Sequence, residues 1–241
     1  MKLAIMQPYF FPYIGYFQLI AASDVFVLHD DVQYIKGGWV NRNRILLNSQ
    51  IRMVTFPVQK GSYDLPINAR NYVGEKQVQK DVINLIRQAY ARAPYFREVF
   101  PLIEELVMFE ERNVARFNEN LIRKVSNYIG LSCKIINSSS VIKNDTLSGE
   151  ARVLDLCMNL GATDYTNPTG GIQLYHHDSF QKSGITLRFL KSDNVSYQQQ
   201  TNTWVPFLSI IDVLMFNSVD AIGVLLTKRQ ILSQFELEGH H

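Results

Sequence analysis

The pattern of hydrophobic and polar positions predicts a strand, a short helix and a second strand at the start of the chain. Residues 3–6 and 24–28 are short apolar runs of the length typical of buried strands. Between them, an apolar segment that begins at about Gly15 predicts a short helix, and a turn rich in aromatic residues and proline precedes it. This order of elements is typical of an α/β fold.

Helical periodicity dominates the next part of the chain. Apolar residues recur at helical spacing between 78 and 89, and Pro94 interrupts the pattern. Two further helices are predicted at about 96–111 and at 114–128. We therefore expect residues 75–129 to form a helical insertion or capping subdomain.

Strands and helices alternate in the remainder. The pattern predicts strands at 45–47, 51–58, 133–137, 162–166 and 185–190, and helices at 147–160, 175–182, 207–216 and 218–226. The predicted fold class is α/β, with a mainly parallel sheet and helices on both faces. We expect a single domain over residues 1–235, and residues 236–241 have the composition of an expression-tag remnant.

Charge and composition narrow the range of partners. The formal net charge is +2 and 46% of the residues are hydrophobic, so nothing favours nucleic acid or an anionic membrane surface. No apolar run approaches the roughly 18 residues that a spanning helix requires. The first apolar run stops at Gln7, too early for a signal peptide. We expect a cytoplasmic protein without an integral membrane segment, in which Cys133 and Cys157 are buried thiols.

The second predicted strand ends in three polar residues, His29, Asp30 and Asp31. Because open α/β sheets build ligand sites at the carboxyl ends of their strands, His29 and Asp30 are candidate catalytic residues, one of them a general base. Carboxylates also bind hard cations, but adjacent aspartates on a strand point to opposite faces, and we predict no metal. The alternative is a polar turn whose groups are satisfied by hydrogen bonds.

A basic segment with two glycines follows. Lys36 and Arg42 supply cations, and Asn41 and Asn43 supply amides, a combination suited to binding a phosphate or a carboxylate. Trp39 is suited to stacking on a base or a sugar ring. The alternative is a solvated basic hairpin.

The turn before the first helix holds polar groups among its aromatic rings. Gln7, Tyr9, Tyr13, Gly15 and Tyr16 are candidate substrate-binding residues, with the glutamine amide and the tyrosine hydroxyls as polar handles of a pocket wall. In the alternative interpretation, the rings of this turn fill the core.

Weaker candidates lie further along the chain. Lys60 follows a predicted strand and could join the basic segment, although most lysines of this kind are solvated surface residues. Asn167, Gly170 and Gly171 could form a nest of backbone amides for an anion, or an ordinary turn. Asp212 lies in an apolar helix, where we expect it to pair with a buried arginine or with backbone amides.

No residue pattern indicates a covalent nucleophile or a dinucleotide site. Neither G-x-S-x-G, nor a P-loop, nor G-x-G-x-x-G occurs. Neither cysteine has the basic neighbours that activate a thiol. Covalent catalysis and conventional dinucleotide binding are therefore not expected.

Several segments resemble one known family. They are MQPYFFPYIGYFQLI from Met6, HDDVQYIKGGWVNRNRI from His29, TFPVQK from Thr55, YTNPTGG from Tyr165 and PFLSIIDVLMFN from Pro206. Together they resemble the WbqC-like family over nearly the whole chain, with mild departures at 167–169 and 195–197. The family takes its name from bacterial surface-polysaccharide gene clusters, so the resemblance implies a role in making O-antigen or a related glycan by modifying a nucleotide-linked sugar.

A second resemblance concerns the fold. Residues 13–16 (YIGY) open a helix after a strand, which is similar to the HxGH signature of nucleotidylyltransferases and pantothenate synthetase. In those enzymes two imidazoles face nucleotide phosphates at the helix N-terminus, and the glycine lets the backbone approach. The resemblance implies a nucleotidylyltransferase-like fold. Because tyrosine carries no positive charge at neutral pH, Lys36, Arg42 or Arg44 would have to supply it.

The hypothesis that follows is an enzyme that transfers an acyl or aminoacyl group to a nucleotide-linked amino sugar. Its partner would be a small-molecule nucleotide or nucleotide-sugar, and a nucleotide such as ATP is the candidate cofactor. The sequence does not identify the reaction, the cofactor or the oligomeric state. The alternatives are a non-catalytic nucleotide-sugar- or glycan-binding protein and a scaffolding protein of the same pathway, with residues 75–129 as its interface.

Overall fold

The computed structural model describes residues 1–193, 195–201 and 203–238. The strands are β1 (Lys2–Met6), β2 (Val25–Leu28), β3 (Arg42–Leu47), β4 (Gln50–Thr55), β5 (Lys134–Asn137), β6 (Asp164–Pro168), β7 (Thr186–Ser192) and β8 (Arg229–Leu232). The helices are α1 (Ile14–Ala21), α2 (Lys76–Tyr90), α3 (Phe96–Val107), α4 (Val114–Tyr128), α5 (Gly149–Asn159), α6 (His177–Lys182), α7 (Ile210–Phe216), α8 (Val219–Thr227) and α9 (Gln234–Glu238). Of the predicted tag remnant, residues 236–238 belong to α9, and residues 239–241 lie outside the described residues.

Six strands form the central sheet in the order β5–β2–β1–β6–β7–β8. The first five are parallel, and β8 pairs antiparallel with β7 at one edge. β3 and β4 form a separate antiparallel hairpin. The predicted α/β class with a mainly parallel sheet is confirmed, and the arrangement is consistent with a nucleotidylyltransferase-like fold.

The strand order reverses at β1. From β1 the chain runs outward to β2 and β5 on one side of the sheet, and it then builds β6 and β7 on the other side. The carboxyl ends of β1 and β6 therefore flank a topological switch point, which is where open α/β sheets bind their ligands. Within the described ranges, no helix is long and apolar enough to cross a membrane.

Alternation along β2 separates the two faces of the sheet. Phe26 and Leu28 belong to a hydrophobic cluster that includes α1 to α4, α7 and α8. Val25 and Val27 belong to a second cluster with α5 and α6. Helices cover both faces, as predicted, and the same alternation directs the next odd-numbered residues of the chain toward α5.

The helical region predicted at 75–129 is present as α2, α3 and α4, and it shares one core with the α1 face of the sheet. Asn118 of α4 is fully buried and ties this region to the turn after β1. Its Nδ2 atom donates to the carbonyl oxygens of Pro8 (2.8 Å) and Val40 (2.7 Å), and its Oδ1 atom accepts from the hydroxyl of Tyr72 (2.9 Å). The helices therefore fix the loop on which several predicted site residues lie.

Some element boundaries differ from the predicted ones for simple reasons. The strand predicted to reach residue 58 ends at Thr55, shortly before Pro57, which cannot donate to a ladder. The helix predicted to begin at 207 begins at Ile210, because the Ser209 side chain caps it by accepting from a backbone amide. The edge strand β8 has no counterpart in the predicted elements, since two of its four residues are exposed, the other two are partly buried, and they show no alternation.

Candidate functional site

An open cavity of about 440 Å³ lies at the carboxyl edge of the sheet, on the side covered by α5. Gln7 enters it from the end of β1, and His29 and Asp31 enter it from the end of β2. The start of α5 contributes Ser148 and Arg152. We call this opening the His29 cavity. Two predicted site residues, Gln7 and His29, are brought together in it.

His29 lies in the cavity wall with 15% of its side chain exposed. Its Nε2 atom is enclosed and lies 3.9 Å from Oδ1 of Asp31, too far for a hydrogen bond. Its Nδ1 atom has no hydrogen-bond partner among the described residues and is not enclosed. Burial lowers the pKa of His29 to about 4, although the charge of Asp31 opposes this shift. The imidazole is therefore neutral near pH 7, with a carboxylate behind one nitrogen and the other nitrogen accessible.

Asp31 is held by two cations. Its Oδ2 atom lies 2.6 Å from Nζ of Lys143 and 2.9 Å from a terminal nitrogen of Arg152, and Oδ1 accepts from the Ser138 hydroxyl. The lysine and arginine side chains are only 4% and 13% exposed. Burial acts to raise the pKa of Asp31, but hydrogen bonds from Lys143 and Ser138 and the charge of Arg152 outweigh it and hold the pKa below its ordinary value. Asp31 is thus a fixed anion behind His29.

Asp30, the second predicted catalytic residue, is buried and does not line the cavity. Its Oδ1 atom accepts from the hydroxyl of Ser138 (3.0 Å) and the amide of Ser139 (2.9 Å), and its Oδ2 atom accepts from the Ser139 hydroxyl (2.6 Å). These bonds join the loop after β2 to the loop after β5. The carboxylate beside His29 is therefore that of Asp31, which lies two residues further on in the turn after β2.

A second acidic residue, Glu150, lines the same cavity. It accepts a hydrogen bond from the backbone amide of His176, and the Nδ1 atom of that histidine lies 3.1 Å from the carboxylate. Burial opposes ionisation, but hydrogen bonds from Ser179 and His176 hold the pKa of Glu150 below its ordinary value. Among the described residues, no group of three or more His, Cys, Asp or Glu side chains is placed to hold a metal ion.

A second opening, of about 170 Å³, lies beside the turn between β1 and α1. We call it the Trp39 cleft; its walls include Tyr9, Tyr13, Trp39, Arg44 and Phe207. The guanidinium carbon of Arg44 lies 5.2 Å from the centre of the Trp39 ring, a cation–π contact. Four residues predicted as substrate-binding, Tyr9, Tyr13, Trp39 and Asn43, thus line one cleft.

The helix-opening residues 13–16 do not present two equivalent side chains to a ligand. The ring of Tyr13 lies directly over Gly15, where an added Cβ would come within 2.3 Å of the ring. Gly15 is therefore needed to admit the Tyr13 ring. Tyr16 is buried, and its hydroxyl donates to the carbonyl oxygen of Gln7 at 3.0 Å. Only the first tyrosine of the pair lines a cleft.

The two predicted asparagines are buried and bonded within the protein. Asn41 donates to the carbonyl oxygen of Phe56 (3.0 Å) and accepts from the Tyr34 hydroxyl (2.9 Å). Asn43 donates to the carbonyl oxygens of Phe10 (3.1 Å) and of the residue that follows it (2.8 Å). The bonds of Asn43 hold the turn between β1 and α1 against β3, beside the Trp39 cleft, whereas those of Asn41 join the segment before β3 to Tyr34 and Phe56.

Replacing Asn43 with alanine is expected to lower the free energy of unfolding by about 2 kcal/mol, because two buried carbonyl oxygens lose their donor. Chemical denaturation followed by circular dichroism measures this change. Asn159→Ala, at an exposed position of α5, is the matched control and should change stability by less than about 0.5 kcal/mol. Equal effects of the two substitutions would contradict the anchoring role.

The other predicted basic residues are not gathered at either opening. Arg42 donates to the backbone carbonyl oxygens of Gly37 and Gly38, so its guanidinium closes its own loop. Lys36 and Lys60 are exposed and line neither the His29 cavity nor the Trp39 cleft. The cations that do reach the two openings are Arg152 and Arg44.

The predicted glycine turn after β6 is a 3-10 helix at Thr169–Leu174. Asn167 donates from its side-chain amide to the carbonyl oxygen of Pro168 (3.1 Å). A Cβ added at Gly171 would lie 2.1 Å from the Nδ2 atom of Asn167. Gly170 is exposed and has open space around it. None of Asn167, Gly170 and Gly171 lines either opening.

Comparison with known proteins agrees with the long motifs in the chain. The model of the WbqC-like protein family matches residues 7–224. The chain belongs to the WbqC-like protein family. It is also 28% identical to "Uncharacterized protein Rv1507c" of Mycobacterium tuberculosis (strain ATCC 25618 / H37Rv) over 232 residues, which cover 95% of this chain and 99% of that protein. No solved structure matches the chain.

A buried carboxylate lies outside both openings of this WbqC-like protein. Asp212 of α7 is fully buried and accepts from the hydroxyls of Tyr197 (2.7 Å) and Tyr90 (2.9 Å). Burial raises its pKa to about 6, although the two hydroxyls act against the shift. The predicted arginine or backbone-amide partner is wrong, since tyrosines from two distant segments serve instead.

Neither cysteine of this WbqC-like protein is an activated nucleophile. Burial raises the pKa of Cys133 to about 11 and that of Cys157 to about 12. Both thiols are therefore protonated near pH 7, and the sequence-based expectation of no cysteine chemistry agrees with their surroundings.

Proposed function

We propose that this WbqC-like protein is an enzyme of bacterial surface-polysaccharide (O-antigen) biosynthesis that transfers an acyl or aminoacyl group to a nucleotide-linked amino sugar. The observation that carries the proposal is the neutral imidazole of His29, which lines a cavity of about 440 Å³ at the switch point with the carboxylate of Asp31 behind it. Family membership supports the pathway. A cytoplasmic location, and a nucleotide such as ATP as the activating co-substrate, belong to the same proposal.

In the proposed reaction, the amino nitrogen of the sugar attacks the carbonyl carbon of an activated acyl donor, a thioester or an acyl adenylate. A carbon–nitrogen bond forms, and the bond from that carbon to the leaving sulfur or oxygen breaks with its electron pair. The Nδ1 atom of His29 accepts the proton that the amine gives up. Asp31 lies 3.9 Å from Nε2, and a small movement that brings its carboxylate within hydrogen-bond distance would favour the tautomer that has its proton on Nε2. The same carboxylate would stabilise the imidazolium that forms.

The same cavity contains donors for a phosphate or for the developing oxyanion, and they lie beside the carboxylates of Asp31 and Glu150. Ser148 and Gly149 bring the N-terminus of α5 to the cavity wall, where free amides and the helix dipole favour negative charge. Arg152 lies beside them, and its Nε atom has no hydrogen-bond partner. Gln7 adds a neutral amide that can donate and accept.

Replacing His29 with alanine is expected to lower kcat about a hundredfold, because it removes the base from the accessible face of the cavity. The assay incubates the protein with a UDP-linked amino sugar and an acyl or aminoacyl thioester and measures the amide product by mass spectrometry. His177→Ala is the control, since that side chain lines neither the His29 cavity nor the Trp39 cleft. A His29→Ala enzyme with kcat within about twofold of the native value would refute the assignment.

A non-catalytic nucleotide-sugar- or glycan-binding protein is the second candidate. It is favoured by the ring of Tyr13, which covers Gly15 at the start of α1, where HxGH enzymes present an imidazole. A thermal-shift screen with nucleotides and nucleotide-sugars separates the candidates when it is combined with the product assay. Ligand at about 100 times its Kd adds about 2.7 kcal/mol of stability. A shift without any turnover by the native protein would select the binding protein.

A further inference from the structure

The Trp39 cleft contains an arginine without an anionic partner. No carboxylate lies within ion-pair distance of Arg44, and its guanidinium makes no hydrogen bond among the described residues. Its Nε atom is enclosed and unpaired. The contact of the cation is instead the face of Trp39, at 5.2 Å. A partly buried cation of this kind is matched by a ligand with a carboxylate or phosphate group.

The same cleft holds hydroxyl groups that the protein does not use. Tyr9 and Tyr13 both line it, and neither hydroxyl has a hydrogen-bond partner among the described residues. Burial raises the pKa of each, so both hydroxyls stay protonated and can donate as well as accept. Groups of this kind suit a ligand whose rim carries hydroxyl groups.

The far wall is a strained, exposed aromatic residue. Phe207 has a φ of +57° and is 60% exposed, although bulky side chains rarely adopt this backbone region. Ser209 holds the segment in place, since its amide donates to the carbonyl oxygen of Arg44 and its hydroxyl donates to that of Phe11, both at 2.8 Å. The fold therefore maintains an apolar ring at the mouth of the cleft in a conformation that costs stability.

The geometry of the rings favours a sugar over a nucleobase. The rings of Tyr13 and Phe207 meet edge to face at 72°, with their centres 5.9 Å apart, so they form a corner. A flat base is bound best between parallel faces, whereas a pyranose presents C–H groups to an aromatic wall and hydroxyls around its rim. The volume of about 170 Å³ is several times that of a water molecule, about 30 Å³.

We propose that the Trp39 cleft binds a pyranose ring that carries a carboxylate or phosphate group, with Arg44 pairing with the charge and Trp39 and Phe207 contacting the ring. The Trp39 cleft is separate from the opening in which the proposed reaction takes place, so this inference goes beyond the proposed function and rests on it only for the pathway in which the sugar is used. Binding in the cleft does not require His29, whose side chain lines a different opening.

The two tryptophans of the chain make the cleft directly observable. Trp204→Phe leaves Trp39 as the only tryptophan, and Trp39→Phe leaves Trp204 as the matched control. We expect methyl β-glucuronoside, glucose 1-phosphate or both to change the fluorescence of the Trp204→Phe protein saturably, and the stronger of the two identifies the charged group. The neutral methyl β-glucoside should bind at least about tenfold more weakly.

Substitutions of arginine complete the test. Arg44→Gln should weaken binding of the charged probe about tenfold or more. Arg44→Lys keeps the charge but not the planar guanidinium, so it should weaken binding less than Arg44→Gln does. Arg52→Gln, at an exposed position of the same hairpin, should leave binding unchanged. His29→Ala should also leave it unchanged, so binding without turnover would separate this proposal from the catalytic one. No saturable response to any sugar, equal binding of the neutral glucoside, or a response to UMP alone would overturn it.

Discussion

Replacing Asp31 with asparagine is expected to lower the free energy of unfolding by about 3–5 kcal/mol, because two largely buried cations lose their anion. The side chains of Lys143 and Arg152 are 4% and 13% exposed, and both lie within 3 Å of the same carboxylate oxygen, at 2.6 and 2.9 Å. The attraction that offsets their desolvation is therefore concentrated in Asp31. Without it, each cation is left beside the other in a site that water reaches poorly.

Asp145 provides a matched control, since it approaches the same two cations at 3.5 and 3.9 Å with 80% of its side chain exposed. Asp145→Asn should cost less than about 1 kcal/mol, as exposed ion pairs do. Adding Lys143→Met to Asp31→Asn removes one of the stranded charges and should recover part of the loss. Chemical denaturation near pH 7 measures the stability of all three variants. If Asp31→Asn lowered the free energy of unfolding no more than Asp145→Asn does, the central role of Asp31 between Lys143 and Arg152 would be contradicted.

The sequence predicts the sheet well because its strands are short apolar runs whose two faces are both covered. The apolar runs that form β1 and β2 show where these strands end, and Gln7 and His29 come directly after those ends, at the switch point. These inferences depend only on neighbours within a few residues.

The partners of these residues could not be predicted in the same way. Lys143 and Arg152 reach Asp31 from more than a hundred positions along the chain, and no local spacing relates the segments. Phe207 faces Tyr13 from a segment that the sequence treats as the start of a helix. Both openings are thus assembled by the crossovers of the sheet, so their chemistry becomes visible only once the strand order is known.

Asp212 shows why residue type alone can mislead about a buried charge. A carboxylate in an apolar helix requires donors, and sequence reasoning favours cations or amides. Tyr90 and Tyr197 meet this need with hydroxyls instead, and they connect α2 to the segment before α7. Because neither donor is charged, burial still raises the pKa of Asp212 to about 6, and the group becomes sensitive to mild acid.

The protein should contain two buried groups whose effects on stability change with pH in opposite directions. Burial lowers the pKa of His29 from 6.5 to about 4, so its contribution to stability is complete above pH 6.5 and is lost as the pH falls through 4. Burial raises the pKa of Asp212 from 3.8 to about 6, so its contribution is complete below pH 3.8 and is lost as the pH rises through 6. At 1.36 kcal/mol per pKa unit, each change amounts to about 3 kcal/mol over the full pH range.

The two groups therefore largely cancel in the native protein, and single substitutions should separate them. For each variant, chemical denaturation at about pH 4 and at about pH 7.5 gives the difference between the unfolding free energies at the two pH values. His29→Gln should raise the unfolding free energy at pH 4 relative to that at pH 7.5 by about 3 kcal/mol, because no imidazole gains a proton on unfolding. Asp212→Asn should shift this difference by about 2 kcal/mol in the opposite direction, and the double variant should have nearly the same difference as the native protein. Single variants that shift it in the same direction would show that burial does not set these two ionisations.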